Sequence, residues 1–338
     1  MSQTARLPPP APRGSYVART PPPSHDPPRV NPFIRLIPPP LVRFFAEPYV
    51  AGDSIASAVD VAAGLLSEHG FLTTLDLLAE GIDSAAVVEQ NVLTYLRLVD
   101  AVADDTRLDG DGHRPSVSLK PSSYTTSPLE DAGDAAGSRD AIFRICEYAK
   151  LRDVAVSIDM ESRHWTDFTL GLIDELHAAG HTDVGAVIQT RLHRTAADLE
   201  RLPAGVRVRL VIGIYHEPET VALVRKPEMK ERMLEFAALL LSRGHYVEFA
   251  THDENYVLRF LNDVVARSGI ARDRYEIQML YGVPRRKLLA QLVGRGVRVR
   301  LYVPFALSWK LAIAYLRRRL DEYPAMAWLV LKNFFRRG

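Results

Sequence analysis

The sequence predicts an α/β protein built as a closed parallel barrel of eight strand–helix units, a (β/α)8 or TIM-type fold, and three observations carry that expectation. Eight short apolar runs recur along the chain, each followed by a stretch with helical spacing. The 338 residues are enough for eight such units, for which ~250 is typical. The alternative, an open doubly wound sheet, would want a glycine-rich turn after an early strand, and the chain has none. Helices ahead of the first strand and a final helix over the barrel mouth should distort the regular plan.

Residues 1–40 hold 13 of the 23 prolines, in runs such as PPPAP, PPPSHDPP and IPPP. Proline fixes φ and lacks the amide hydrogen, so this tail reads as extended or disordered. Residues 41–338 read as a single barrel domain with an N-terminal helical segment. The first helix spans 53–69 and is ended by Gly70. The first strand, 71–78 (FLTTLDLL), carries Asp76 near its end as an outward-pointing polar side chain, and a second helix covers 85–102. The remaining strands are expected at 116–120, 154–159, 184–189, 207–212, 246–250, 275–280 and 297–303. Helices are expected at 139–151, 166–179, 228–243, 255–268 and 284–294.

The stretch 302–322, YVPFALSWKLAIAYLRRRLDE, leaves its strand at Pro304 and becomes helical, with Leu311, Ala314, Tyr315 and Arg318 three or four residues apart. Tyr315 and Arg318 then share one face, and Arg319 lies about 100° further round. On these residues alone two readings stand. The arginines are a solvated helix end, or two adjacent guanidiniums grip a carboxylate. The last stretch, WLVLKNFFRRG, reads first as a helix packed on the barrel and second as a peripheral membrane contact.

Composition narrows the function. With 47% hydrophobic and 25% charged residues the chain is an ordinary globular one, and its net charge of +1 gives no field for nucleic acid. A single cysteine, Cys146, excludes an internal disulfide and reads as a small buried hydrophobe. No apolar run reaches the ~18 residues that span a bilayer, and no leader pattern opens the chain, so a cytoplasmic protein is expected. The histidines lack HxH and HExxH spacing, so no metal is expected. Neither a GxSxG elbow nor a cysteine–histidine pair is present to support covalent hydrolysis.

The strand ends are unusually polar for a core. They carry Lys120, Asp159, Glu161, Gln189, Arg209, Gly213, Tyr215, Thr251, His252, Leu280, Tyr281 and Tyr302. In a β/α barrel the chemistry sits at these ends. Lys120 and Asp159 end successive strands and are expected to meet as an ion pair; His252 is expected to be a neutral hydrogen-bonding group. Together these groups make a cavity for a small anionic molecule.

The ordered motifs VAG, TLDLLAEG, VSLKPS, IDMES, RLV-GIY-EP, ATH, YEIQMLYG, YVPF and AYLRRRLDE resemble the proline dehydrogenase family across roughly residues 45–325. The resemblance implies FAD as cofactor and oxidation of L-proline to 1-pyrroline-5-carboxylate, with electrons passed to quinone or another acceptor. It assigns Arg318 and Arg319 to the substrate carboxylate, Lys120 and Asp159 to the ion pair beside it, and Tyr215, Leu280, Tyr302 and Tyr315 to the walls around the substrate ring. Gln189, Arg209, Val211 and Gly213 would meet the flavin ring system, with Thr251 and His252 as further flavin contacts. Glu322 would lie near the ribityl or adenosine portion, and Arg225 and Lys226 near the pyrophosphate. With 338 residues in the sequence, no fused aldehyde dehydrogenase is expected.

The departures cluster at the site. The family's KGAY reads IGIY, with Ile212 in place of a cation and Ile214 in place of alanine; Arg191 stands where tyrosine is usual, Ala306 where glycine is, and Asp253 where asparagine is. Two alternatives therefore stand beside proline: a different cyclic or secondary amino acid as substrate, or a degenerate, non-catalytic barrel.

Overall fold

Strand residues alternate between two environments, and in this protein the alternation separates apolar from charged side chains. The computed structural model describes Arg43 and residues 47–79, 82–110 and 112–313. The proline-rich tail, Tyr315, Arg318, Arg319, Glu322 and the C-terminal WLVLKNFFRRG lie outside the described residues.

Helix α1 (Ile55–His69) starts at Ser54, whose hydroxyl accepts from the Ser57 amide, and stops at Gly70 with φ 68°, a left-handed turn that glycine adopts without penalty. The order is then β1 (Leu72–Leu77), α2 (Ala85–Ala103), β2 (Ser116–Leu119), α3 (Ser138–Leu151), β3 (Val156–Ile158) and α4 (Thr166–Ala178). It continues through β4 (Gly185–Gln189), α5 (Thr195–Leu199), β5 (Arg207–Val211), α6 (Lys226–Ser242) and β6 (Tyr246–Ala250). The last units are α7 (Glu254–Arg259), β7 (Tyr275–Leu280), α8 (Arg286–Gly294) and β8 (Val299–Phe305). The strands are parallel in sequential order and β8 pairs with β1, which closes the barrel. The expected (β/α)8 architecture is the observed one.

Three local expectations differ. The helix expected over 255–268 begins as α7 and widens into a π-helical stretch, Phe260–Ala266, where Phe260 stacks on Phe249 at 4.2 Å. Helix α5 has only five residues, too few for a periodic pattern to reveal it. Pro304 does not end its strand: β8 runs on to Phe305, because the carbonyl of Pro304 accepts from Ala51 while its missing N–H is not needed.

One face of each strand packs outward against the helices. Leu75, Val117, Ile158, Leu210, Phe249 and Ile277 are all fully buried there, each contributing on the order of 1.5–3 kcal/mol. The inward face is polar, whereas barrels of this type usually fill it with branched apolar residues. Deep in the barrel Arg300 Nε donates to Glu276 Oε1 at 2.7 Å, Gln278 Nε2 donates to Glu276 at 2.6 Å and Glu248 at 2.7 Å, and Arg207 pairs with Glu248. Tyr246 closes the set, its hydroxyl donating to Glu276 at 3.0 Å.

Such a lattice holds only while every member keeps its partner. Removing one carboxylate strands the cations against it, a cost of about 3–5 kcal/mol. Glu276→Ala is therefore expected to lower unfolding free energy by about that amount in urea titrations. A loss below about 1 kcal/mol would show that Arg300 is solvated or re-paired at no cost.

Candidate active site at the barrel mouth

Above that lattice the inward-facing residues of β1, β2, β3, β5 and β8 converge on Asp159. Its Oδ1 accepts from Ser118 Oγ at 2.8 Å and from Arg209 Nη1 at 2.9 Å. Its Oδ2 accepts from the Tyr302 hydroxyl at 2.8 Å and lies 3.3 Å from Lys120 Nζ. The expected Lys120–Asp159 pair is thus present, but Lys120 is shared: its ammonium lies closer, at 2.5 Å, to Asp76.

Asp76 corrects the reading of the first strand. It does not point outward; it is 1% exposed and faces the barrel interior. LTTLDL puts Asp76 in phase with Thr74, and Thr74 Oγ1 is 2.8 Å from Ser116 Oγ on the next strand. The apolar neighbours Leu75 and Leu77 take the helix-facing side instead. Arg209 and Tyr302 also differ from expectation. They sit within β5 and β8, not at their ends, so both reach the cluster from below the rim.

The electrostatics follow from burial and shared partners. Burial works against the charge on Asp76 and Asp159 adds to that, so the Asp76 carboxyl is raised despite Lys120. Burial also opposes the charge on Asp159, but Lys120 and Arg209 outweigh it and hold that carboxyl below its ordinary value. The Lys120 ammonium loses hydration too, yet Asp76 and the other anions keep it well above the usual lysine range. Lys120 is therefore a fixed cation, and the Tyr302 phenol is held protonated by burial and by Asp159.

The cofactor-side expectations occupy the β4–β5 end. Gln189 is buried, its Nε2 donating to the Glu161 carbonyl at 2.6 Å while its Oε1 is buried without a partner. Arg209 Nη2 is likewise buried and unpartnered. Gly213 has φ 89°, and a Cβ there would collide with Gln189 Oε1. The absent side chain at Gly213 lets the Gln189 amide pack against its backbone, and an orphaned acceptor and an orphaned donor suit the mixed N–H and C=O rim of a flavin ring, so these residues fit FAD. Val211 ends β5 in register with Gln189. His252 Nε2 accepts from the Leu280 amide at 2.9 Å; burial and Arg285 push its pKa down to about 4, so it is neutral as expected. Thr251 Oγ1 accepts from the Asp253 amide at 3.2 Å.

Tyr215 lies on the β5–α6 loop, partly exposed. Arg225 and Lys226 do not join the cluster: both are exposed at the start of α6, where Arg225 pairs with Glu228 at 2.8 Å. Cys146 is buried in the apolar layer, which pushes its thiol up, as a small hydrophobe should be. Tyr95 was missed by sequence reasoning; its hydroxyl donates to the Ser118 carbonyl at 2.6 Å and accepts from Leu77 at 3.2 Å, bracing β1 against β2.

Glu161 gives a pH test. Burial pushes its pKa up to about 7, against hydrogen bonds from the Ser122 amide at 2.8 Å and hydroxyl at 2.5 Å. The folded state then holds a proton that the unfolded state has lost, so stability falls as pH rises from about 4.5 through about 7. Glu161→Gln is expected to flatten that slope and to gain on the order of 3 kcal/mol relative to wild type between acid and alkaline ends of the window. Parallel urea curves for both proteins across that range would contradict it.

Comparison with known proteins adds the lineage. A family model described as proline dehydrogenase matches residues 61–328. A proline dehydrogenase of Deinococcus radiodurans is 36% identical over 296 residues, covering 86% of this chain and 90% of that protein. Proline dehydrogenase 1 of Bacillus subtilis subsp. natto is 33% identical over 300 residues, covering 87% and 92%. Among solved structures, proline utilization A (PutA) from Bdellovibrio bacteriovorus, inactivated by N-propargylglycine, aligns with a TM-score of 0.70 at 23% identity. That alignment covers 82% of this chain and 32% of the PutA chain, so this protein spans about a third of that structure and shares its barrel. With the barrel, the mouth cluster and these matches together, the chain belongs to the proline dehydrogenase family.

Proposed function

We infer that this protein is a flavin-dependent oxidoreductase that converts L-proline to 1-pyrroline-5-carboxylate. The observation that carries the reading is the buried Asp159 cluster at the mouth of the family-matched barrel. FAD, when bound, supplies the hydride acceptor. The protein's own groups supply position and charge. Gln189, Arg209, Val211 and Gly213 hold the ring system, with Thr251 and His252 beside it. Lys120, fixed by Asp76 and Asp159, sets a permanent positive charge at the substrate side. Tyr302, donating to Asp159, presents its ring as a wall between the two cations, Arg209 lying 5.0 Å and Lys120 5.7 Å from its centroid.

Leu280, Tyr215 and Tyr315 complete the walls, and Arg318 and Arg319 take the substrate carboxylate. Glu322 belongs to the ribityl or adenosine end. Arg225 and Lys226 reach the pyrophosphate only if the start of α6 turns toward the cofactor. Oxidation takes a hydride from the ring carbon beside nitrogen and a proton from the nitrogen, leaving a cyclic imine. Electrons then pass to quinone or another acceptor. No helix among the described residues is long and apolar enough to cross a membrane.

A second reading has one observation in its favour. Ile214 is 45% exposed beside Tyr215, and a branched side chain there narrows the approach, which would suit a different cyclic or secondary amino acid. Anaerobic mixing decides between them. The purified protein is expected to be yellow and to bleach with L-proline; bleaching only by another imino acid would select the second reading. A protein that stays colourless after FAD addition would overturn both. Arg318→Ala and Arg319→Ala are each expected to raise KM roughly tenfold or more, the effect of losing a charged hydrogen bond of about 1.5–3 kcal/mol. An unchanged KM in both variants would remove the carboxylate clamp.

A further inference from the structure

Only two arginines are buried among the described residues, and they are treated differently. Arg209 is neutralised by Asp159 at 2.9 Å and Glu248 at 3.5 Å. Arg191, 9% exposed, forms no ion pair among the described residues. Its Nη1 donates to the Tyr215 carbonyl, its Nη2 lies 3.5 Å from the Leu223 carbonyl, and its Nε is buried without a partner. A buried cation met only by carbonyl oxygens is expensive, so its retention points to work that needs the charge.

Its surroundings say where that work lies. A Cβ on Gly213 would come within 2.8 Å of Arg191 Cδ and would also strike Gln189 Oε1, so the arginine stem, the Gln189 amide and the Gly213 backbone form one patch. Ile212 and Ile214 flank Gly213 and bring no charge. The main chain around Arg191 also staples the β5–α6 loop: Leu223 donates to the Arg191 carbonyl at 2.8 Å and His193 to Val221 at 2.9 Å, with a bridge between Leu192 and Ala222.

We propose that Arg191 is a positioning residue for the flavin: it pins the loop carrying Gly213 and Tyr215 and supplies the uncompensated positive charge that favours the reduced, more negative cofactor. This rests on the FAD reading above. A flavin that has accepted hydride carries additional negative charge, and a nearby cation in low dielectric stabilises that form over the oxidised one.

The test is the reduction potential and FAD affinity of the full-length, FAD-loaded protein and of Arg191→Gln and Arg191→Lys. Arg191→Gln is expected to shift the oxidised-to-reduced ratio about tenfold toward oxidised, about 30 mV downward for a two-electron couple. Arg191→Lys keeps the charge and is expected to restore the potential to within about twofold in that ratio, while the lost fork weakens FAD binding. A yellow Arg191→Gln protein with an unchanged potential overturns the charge role, even if its affinity for FAD has fallen. If Arg191→Gln does not fold, Arg191→Lys decides: a lowered potential despite the retained charge overturns the proposal. A wild-type protein that binds no FAD overturns the flavin reading itself, and this role with it.

Discussion

Asp159 is the constraint on which the mouth of this barrel depends. One carboxylate receives a hydroxyl from β2, a guanidinium from β5 and a phenol from β8, and stands beside an ammonium that follows β2. Four side chains from three other strands can take one arrangement only if this acceptor is charged and fixed. The partners ensure that it is, since Lys120 and Arg209 hold it ionised against its own burial. Buried ion pairs are often no more stable than apolar replacements of the same shape. A barrel that forgoes apolar filling for such a cluster has placed positional accuracy above stability.

The same logic extends downward and sideways. Arg209 touches Asp159 above and Glu248 below, so the lattice of Glu248, Gln278, Glu276 and Arg300 in the barrel interior serves as the foundation of the mouth. Sideways, Gln189 keeps an unsatisfied acceptor packed against Gly213, and Arg191 and Arg209 keep unsatisfied donors. A satisfied side next to an unsatisfied one suits the proposed site, with substrate charge on one flank and a planar cofactor on the other.

Much of this was legible in the sequence, and the failures have physical causes. The eight strands and the barrel followed from period-two apolar runs alternating with helical spacing, because those patterns report burial directly. The Lys120–Asp159 pair followed from two charges at successive strand ends. Asp76 was misread because a single acid in FLTTLDLL looks like a solvent-facing residue until its phase with Thr74 is set against the neighbouring strand. Arg209 and Tyr302 were placed at the rim because strand length fixes depth, and pattern alone does not give the stagger of a closed sheet. Glu161 stood out in sequence only as one of the polar strand-end residues; its raised pKa was not legible there, because it comes from burial in the folded chain. Arg191 stood out only as a departure; that it lacks a carboxylate partner among the described residues is a fact of three-dimensional neighbourhood.

We propose that the Asp159 cluster is where the substrate reacts. Anaerobic single-turnover reduction of the bound flavin by proline, compared between wild type and Asp159→Asn, tests it most directly. Loss of the charge that organises Lys120, Arg209 and Tyr302 is predicted to slow reduction about 100-fold, equivalent to roughly 2.7 kcal/mol of barrel-mouth preorganisation, with FAD still bound. An Asp159→Asn protein that is yellow, folded and reduced by proline at the wild-type rate would contradict the account.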